Sequence, residues 1–599
     1  MARTPGTGTG ATVDASGRRL RLGILLALAL LVVLALRLVV IQGVDASGHA
    51  SEAMKERLRS VSITPERGSI LDSQGRVLAA SVDRYDLVAD QRLVKDYRKW
   101  NNDTNSMEDV ALEDSLQELS GILDVDAAEL RESMVGDRPY KVVMKGITPE
   151  VKEQAMEIGI PGLLAEPVSE RSYPNGSVAG SILGFLGGDG TPLEGLELSQ
   201  DEHLSGTEGQ RTYEIAADGV RIPNAEFSET PAVDGQDLRL TIDQDVQWFA
   251  QEAIARKTES YNADWGNITV MNAKTGEIVA MADSTTVDPS DPSATDSLFW
   301  RPTSLTQSYE PGSTGKISTF ATALERGGIS PTDTWTVPNK QEFDGQVIND
   351  SMPHDTYDMT TAGIFTRSYN TGTVQVAQTV EDEVRYDYLK QLGVGEHIDI
   401  GLPGSNKGIL VDPSQWDGRQ RFTTMFGQGY TQTTLHLAQL LQTVANGGVE
   451  KEAQLIDAYI DADGSENVNP EDEGTRIYSE ETSEEMLRLM EGVVELGTAA
   501  PAQIPGYRVG GKTGTGEAAG VGGYNGYTTS FAGVAPLDDP QFVVAISVHR
   551  PKGDWKTWQV EDTAAEVLSY LLTKYNVPPN DQEPQNYDVF PEDPQKRPW

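Results

Sequence analysis

An almost unbroken apolar run, Leu22 to Leu36 followed by Leu38-Val39-Val40-Ile41 with Arg37 between, constrains this chain more than any other feature. About 20 residues of this kind span a hydrocarbon core of roughly 30 Å only as a helix, because a lipid-exposed backbone must satisfy its own hydrogen bonds. Arg37 sits near one end, where its side chain can snorkel to the headgroups. Arg18, Arg19 and Arg21 precede the run and predict a cytoplasmic N-terminus, with everything after residue 42 on the outer side. A cleaved signal peptide is the alternative, with Val44-Asp45-Ala46 as a weak cleavage site, but the run exceeds the usual 7–15-residue apolar region. No second such segment follows, so the expected topology is single-pass, in the plasma membrane.

What remains must fold outside the bilayer, and 599 residues suggest three or four folding units. The chain has no cysteine, which removes disulfides, thiol nucleophiles and cysteine-based wall cross-linking chemistry. Its six histidines show no metal-ligand spacing, so neither metal nor other cofactor is expected. A net charge of −43 argues against nucleic acid, whose affinity rests on phosphate neutralisation. A solvated acidic surface accounts for the charge, with a salt-adapted source or a cationic partner as alternatives.

Punctuation and periodicity divide the chain. Residues 1–21 form a cytoplasmic tail, Gly/Thr/Ala-rich and disordered over 1–17; 22–42 is the anchor, and Ser47 to Leu58 a short juxtamembrane helix. Residues 66–90 carry hairpin chemistry around Ser73-Gln74-Gly75, and 108–160 read as helices with acidic faces, such as Val110–Leu123 and Ala127–Val135. A composition change near Pro231–Gly235 separates 43–233 from 234–575. In the second region the patterns predict a strand over 237–242, a helix over 243–256 capped by Asp243, and a hairpin turning at Ala273-Lys274-Thr275-Gly276. Further helices are expected at 316–326, 386–392, 435–446 and 563–572, with late strands at 530–536 and 542–549. Strands at both ends around a helical middle give an α+β class, a mixed or antiparallel sheet covered by helices. Residues 576–599, rich in Pro, Asp, Glu and Gln, read as a disordered tail.

Three short motifs carry chemistry. Ser313-Thr314-Gly315-Lys316 is the chain's single S-x-x-K; Pro311-Gly312 places Ser313 at a helix N-terminus, where free N–H groups favour an attacking oxyanion. Lys316, three residues on, lies on the same helix face and can serve as base once burial or a second cation lowers its proton affinity. Ser368-Tyr369-Asn370 supplies a hydroxyl relay and an amide. S-x-N also occurs at Ser260-Tyr261-Asn262 and Ser465-Glu466-Asn467, but only Ser368 follows a helical stretch, Thr361 to Arg367. Lys512-Thr513-Gly514-Thr515 combines a cation and hydroxyls with glycines that let a substrate approach the backbone; the other K-T-G, Lys274-Thr275-Gly276, reads as a hairpin turn.

The order S-x-x-K, S-x-N, K-T-G resembles the serine acyltransferases that penicillin acylates. With Arg67-Gly68-Ser69-Ile70, Gly75, Gly195-Leu196-Glu197, Gly427-Gln428-Gly429-Tyr430 and Thr529-Ser530-Phe531-x-Gly533-x-x-Pro536, the chain is similar to the class B penicillin-binding proteins over roughly residues 20–575, most of all the division-specific FtsI type. That resemblance implies an elongated β-rich pedestal of the dimerisation type over 43–233 and a transpeptidase domain over 234–575. It implies that Ser313 forms an acyl-enzyme with a peptidoglycan stem peptide, with Lys316 as base, Ser368 as proton shuttle and Asn370 on the peptide amide. Lys512, Thr513 and Thr515 would hold the terminal carboxylate, in a strand whose Gly514 admits the substrate. β-Lactams, a lipid II polymerase of the FtsW type and other divisome membrane proteins are the implied partners. Gly315, where the family usually has a larger residue, and Thr434, where Pro is common, depart from its pattern. An elongation-specific transpeptidase and a penicillin-hydrolysing or penicillin-sensing relative remain alternatives, as does a scaffold with vestigial chemistry.

Overall fold

The computed structural model describes residues 13–40, 58–102, 104–214, 227–520, 523–580 and 582–592. The N-terminal helix runs Val13–Val39, and its segment Gly17–Val39 is the one described helix long and apolar enough to cross a membrane. Helix therefore begins within the stretch read as a disordered tail: Val13 to Arg21 holds no proline, and its one glycine, Gly17, weakens a helix without ending it; residues 1–12 lie outside the described residues. So does most of the expected juxtamembrane helix, whose last residue, Leu58, instead opens a strand.

Two compact units divide the chain. The first (residues 1–65 with 207–233) contains the N-terminal helix and a three-stranded antiparallel sheet in which Gly209–Glu214 lies between Leu58–Ile63 and Phe227–Thr230.

The second unit joins 66–206 to 234–599. The reason is a shared sheet. Strand Asp237–Leu240 pairs in parallel with Ile70–Leu71 on one side and antiparallel with Ile456–Ile460 on the other. The same seven-stranded sheet continues through Val77–Ala89 to Lys141–Ile147 and Leu163–Ser172. The strand Lys141–Ile147 interrupts the region read as all-helical. Its apolar Val142-Val143-Met144 core suits either structure locally, and antiparallel pairing with Val77–Ala89 decides for the strand. The expected helices appear at Leu112–Leu123 and Ala127–Met134, packed with Pro149–Ile158 around Leu116, Leu119, Leu130 and Ile158.

The motifs at Arg67 and Glu197 meet. Glu197, fully buried, receives Arg67 Nε at 2.6 Å and Arg171 Nε at 2.7 Å, and Tyr173 Oη donates to it at 3.2 Å. Arg67 also reaches Asp201 at 2.5 Å. Gly68 is needed here: a Cβ would lie 1.9 Å from the carbonyl oxygen of Gln236.

The second sheet of this unit is antiparallel, in the order Ile278–Asp283, Trp265–Asn272, Phe542–His549, Gly523–Ala535, Gly510–Gly520. Phe542 to Val548 is an almost continuous apolar run and is buried throughout, as a strand covered on both faces must be. Helices Gln244–Ser260 and Glu561–Lys574 pack together with the sheet, and helices Thr434–Ala445 and Glu480–Glu495 also lie against it. Asp243 caps the helix that follows it by accepting the N–H groups of Asp245 and Val246.

The described part of the C-terminal segment expected to be disordered, residues 576–580 and 582–592, packs instead, and residues 593–599 lie outside the described residues. Val589 and Phe590 are 2% and 4% exposed, and the Val589 carbonyl accepts the N–H of Thr360 at 3.1 Å. Arg488 covers the Tyr587 ring, and the Gln585 N–H bonds Glu491. The polar composition of the tail hid three anchors, Tyr587, Val589 and Phe590, that pack on the core of this unit.

Candidate active site

Ser313 sits in a 3-10 turn, Gly312–Gly315, that runs directly into the helix Lys316–Arg326. The turn is wedged between two backbones. Gly312 has φ +57°, and a Cβ on it would lie 2.4 Å from the Thr515 carbonyl oxygen; a Cβ on Gly514 would lie 2.6 Å from the Pro311 oxygen. A Cβ on Gly315 would meet Tyr430 Oη at 2.4 Å, so the small residue at this position matches a tyrosine pressed against the turn. Thr434, the other departure from the family pattern, opens its helix and pairs with Ser547 Oγ at 2.8 Å. The Gly427 carbonyl accepts the Gly312 N–H at 2.8 Å. Main-chain contact on both sides thus holds Ser313 in place.

Lys316 is fully buried. Its Nζ donates to the Ser368 carbonyl at 2.7 Å, to Asn370 Oδ1 at 2.8 Å and to Ser368 Oγ at 3.4 Å. Lys512, also fully buried, donates to the same Ser368 Oγ at 3.0 Å and to the Thr513 carbonyl at 3.1 Å. Ser368 ends the helix Thr361–Arg367 in the left-handed region, φ 62°, a conformation that costs a non-glycine residue of order 1–3 kcal/mol. That turn aims both its hydroxyl and its carbonyl at the two lysines. Burial is the main cause that pushes the Lys316 ammonium down to about 7, with Asp350 pulling the other way. Burial, then the neighbouring Lys316, holds Lys512 well below an ordinary lysine.

Asp350 was not anticipated from the sequence. One of its oxygens accepts the N–H groups of Asn370 and Thr371, the latter at 3.1 Å, and the other accepts Thr371 Oγ1 at 2.9 Å and pairs with His354 Nε2 at 2.9 Å. It therefore caps the helix Asn370–Ala377 from 20 residues upstream, a spacing no local pattern records. His354 stacks on Tyr369 with ring centroids 3.9 Å apart.

Lys512 to Thr515 lie on the edge strand Gly510–Gly520, where Lys512, Gly514 and Gly516 are buried while Thr515 is exposed and Thr513 half-buried. Thr513 Oγ1 pairs with Thr498 Oγ1 at 2.7 Å. The rival motifs stay outside this cluster. Ser260 bonds the Lys257 carbonyl at a helix end, Ser465 bonds Asp463 in a hairpin, and Lys274 pairs with Asp539 at 3.3 Å across a turn. Among the described residues no group of acidic or histidine side chains is arranged to hold a metal ion.

A serine at a helix start, two buried lysines with lowered proton affinity, a shared hydroxyl and an open strand edge define a serine acyltransferase site. Comparison with known proteins narrows this class. Residues 266–569 match the penicillin binding protein transpeptidase domain, and residues 62–240 the penicillin-binding protein dimerisation domain. The chain is 33% identical over 590 residues to penicillin-binding protein PbpB of Mycolicibacterium smegmatis, covering 94% of this chain and 91% of that protein. It is 27% identical over 536 residues to the peptidoglycan D,D-transpeptidase FtsI of Escherichia coli, covering 88% and 86%. Among solved structures, a peptidoglycan synthetase from Bifidobacterium adolescentis superposes with a TM-score of 0.71 at 30% identity, over 89% of this chain and all of that one. Penicillin binding protein 3 of Mycobacterium tuberculosis, complexed with aztreonam, superposes with a TM-score of 0.68 at 26% identity, over 88% and 99%. The chain belongs to the class B penicillin-binding proteins of the FtsI type.

Proposed function

We propose that this chain is a serine-type peptidoglycan D,D-transpeptidase that cross-links stem peptides through an acyl-enzyme on Ser313. The observation that carries the reading is the Ser368 hydroxyl, held by the ammonium nitrogens of both Lys316 and Lys512. In the proposed sequence neutral Lys316 takes the Ser313 proton as Oγ attacks the carbonyl of the penultimate D-Ala. The N–H groups of Ser313 and Thr515 stabilise the oxyanion, the kind of donor worth about 10²–10³ in rate. As the intermediate collapses, Ser368 passes a proton to the departing D-Ala amine. An amine from a neighbouring stem then attacks the ester and releases Ser313. Asn370 orients the peptide amide, and Lys512, Thr513 and Thr515 hold the terminal carboxylate. β-Lactams enter the same path, but their tethered leaving group cannot depart.

The single apolar helix and the arginines before it support an anchor with its N-terminus in the cytoplasm and the acyltransferase outside. Likeness to FtsI and PbpB supports a septal role during division, beside a lipid II polymerase of the FtsW type and other divisome membrane proteins. Labelling with a fluorescent penicillin, with and without Ser313→Ala, tests the chemistry: loss of the label in the variant is expected, and a label that persists overturns the assignment of Ser313. Depletion in cells tests the role. Filaments or chains without septa are expected, and cells that swell while still dividing would point to the elongation machine.

A further inference from the structure

The edge strand that carries Lys512 to Thr515 continues past the proposed acylation site into a cavity of about 420 Å³, lined by Trp265, Glu310, Tyr430, Glu517 and Tyr524 among others. Alternation along the strand puts Glu517 on the same face as Thr513 and Thr515. Glu310 enters from the other side, three residues before Ser313. A Cβ on Gly516 would lie 1.8 Å from the Glu310 carbonyl oxygen, so the two segments touch there.

Glu310 is 7% exposed, yet its carboxylate is only half satisfied. Oε1 accepts the Gly429 N–H at 3.0 Å and Tyr524 Oη at 2.9 Å, whereas Oε2 has no hydrogen-bond partner among the described residues. Leaving a buried carboxylate oxygen unpartnered is costly. Burial first, and the Glu517 charge in addition, hold the Glu310 carboxyl above its ordinary value, offset in part by the bonds from Gly429 and Tyr524. Tyr524, whose hydroxyl reaches it, is 60% exposed near the turn between the last two strands of the sheet. The arrangement has two carboxylates, one short of a partner, and no lysine or arginine among the residues that line the cavity; the one histidine there, His549, is pushed down to about 4 by burial and is neutral.

Resting on the transpeptidase reading, the direction of the donor follows. With the terminal carboxylate at Lys512 and Thr513 and the reacting carbonyl at Thr515, an extended peptide added to this open edge runs antiparallel to the strand. Its next residue upstream, the third from the C-terminus, passes Gly516 and Glu517. We infer that Glu310 and Glu517 form a specificity pocket for a side-chain ammonium on the third-from-last residue of the acyl donor. The same pair repels a free carboxylate on that side chain. The donor class is therefore a stem peptide whose diamino acid ends in an amine without a free acid: a lysine- or ornithine-type residue, or a diaminopimelate with its side-chain carboxyl amidated.

The test compares four N-acylated donors ending in X-D-Ala-D-Ala, with X as lysine, norleucine, diaminopimelate or its side-chain amide, reading D-Ala release by the full-length protein in detergent with an amine acceptor. Lysine and amidated diaminopimelate should exceed norleucine roughly three- to tenfold in kcat/KM, with free diaminopimelate falling back toward norleucine. Glu517→Gln should shrink the lysine-to-norleucine ratio, and Glu517→Arg should favour free diaminopimelate over lysine. Each ratio is taken within one variant, so a partial loss of folded protein cancels. Norleucine matching lysine in the wild type, or a ratio unchanged in both Glu517→Gln and Glu310→Gln, overturns the inference. If penicillin labels Ser313 while donors react without regard to side-chain charge, only this inference fails. If neither penicillin nor any donor reacts, the transpeptidase reading fails with it.

Discussion

At Glu197 two guanidiniums share one buried carboxylate; at Ser368 two buried ammoniums share one neutral hydroxyl. Both clusters sit in the same compact unit, and both bring cations out of water. In the first, every charge has an opposite charge within 2.7 Å, and Arg67 stays above its ordinary value despite burial, because Glu197 and Asp201 hold its proton. In the second, burial wins, and both lysines lose affinity for their protons. The difference separates architecture from chemistry. A compensated buried charge is inert, whereas an uncompensated one is a base poised near neutral pH.

Five experiments would break or sharpen this contrast. The largest effect is expected from Lys316→Met, which removes the proposed base and should slow acylation of Ser313 by penicillin about 10²–10⁴-fold, read by stopped-flow labelling. The same variant should be more stable than the wild type. A lysine whose folded pKa, about 7, lies below its unfolded value opposes folding once pH drops beneath the unfolded value. The stability gain should grow as pH falls from about 10 to about 7 and then level off, its pH-dependent part reaching on the order of 5 kcal/mol in urea titrations. A variant both slow and destabilised would place Lys316 with the Glu197 type of charge.

Next in size is Glu197→Gln. It leaves Arg67 and Arg171 with no carboxylate between them and should cost about 3–5 kcal/mol in denaturant unfolding. A loss below about 1 kcal/mol would mean that solvent reaches the guanidiniums and the pair is not compensated as described.

The C-terminal strap supplies a neutral reference. Phe590→Ala should cost about 3 kcal/mol through the cavity it leaves, with no dependence on pH, because no charge is uncovered. The pH profile of wild-type acylation is a smaller effect. The rate should rise with pH through about 7 as Lys316 becomes neutral, and then plateau. A profile that falls through the same range would assign the titration to an acid. Smallest is Lys274→Ala at the rival K-T-G. It should change stability by less than about 0.5 kcal/mol, because its ion pair with Asp539 is exposed, and should leave penicillin labelling as it is.

Much of this was legible in the residues. The helix Lys316–Arg326 and the strand Phe542–His549 begin and end where their periodicity predicts, because capping and alternation are local properties. The convergence of Lys316, Ser368, Asn370 and Lys512 is as the motif order implies. Asp350 and Glu310 were not legible as site residues. Each acts through space, Asp350 on a helix start 20 residues later in the chain, and Glu310 across from Glu517 in a strand two hundred residues on. The tail was misread because composition averages over 24 residues, whereas burying Val589 and Phe590 on the core is enough to hold the stretch of chain around them.

By itself, then, the sequence pointed to the apolar anchor, the acyltransferase class and the five side chains most worth testing, Ser313, Lys316, Ser368, Asn370 and Lys512, all of which rest on residue identity and short-range order. Tertiary structure alone decided how far the shared sheet reaches, which distant carboxylate caps the helix that Asn370 opens, and which buried charges are paired. Burial and pairing depend on what distant segments bring to the same few ångströms, and these set whether a lysine holds its proton or gives it up.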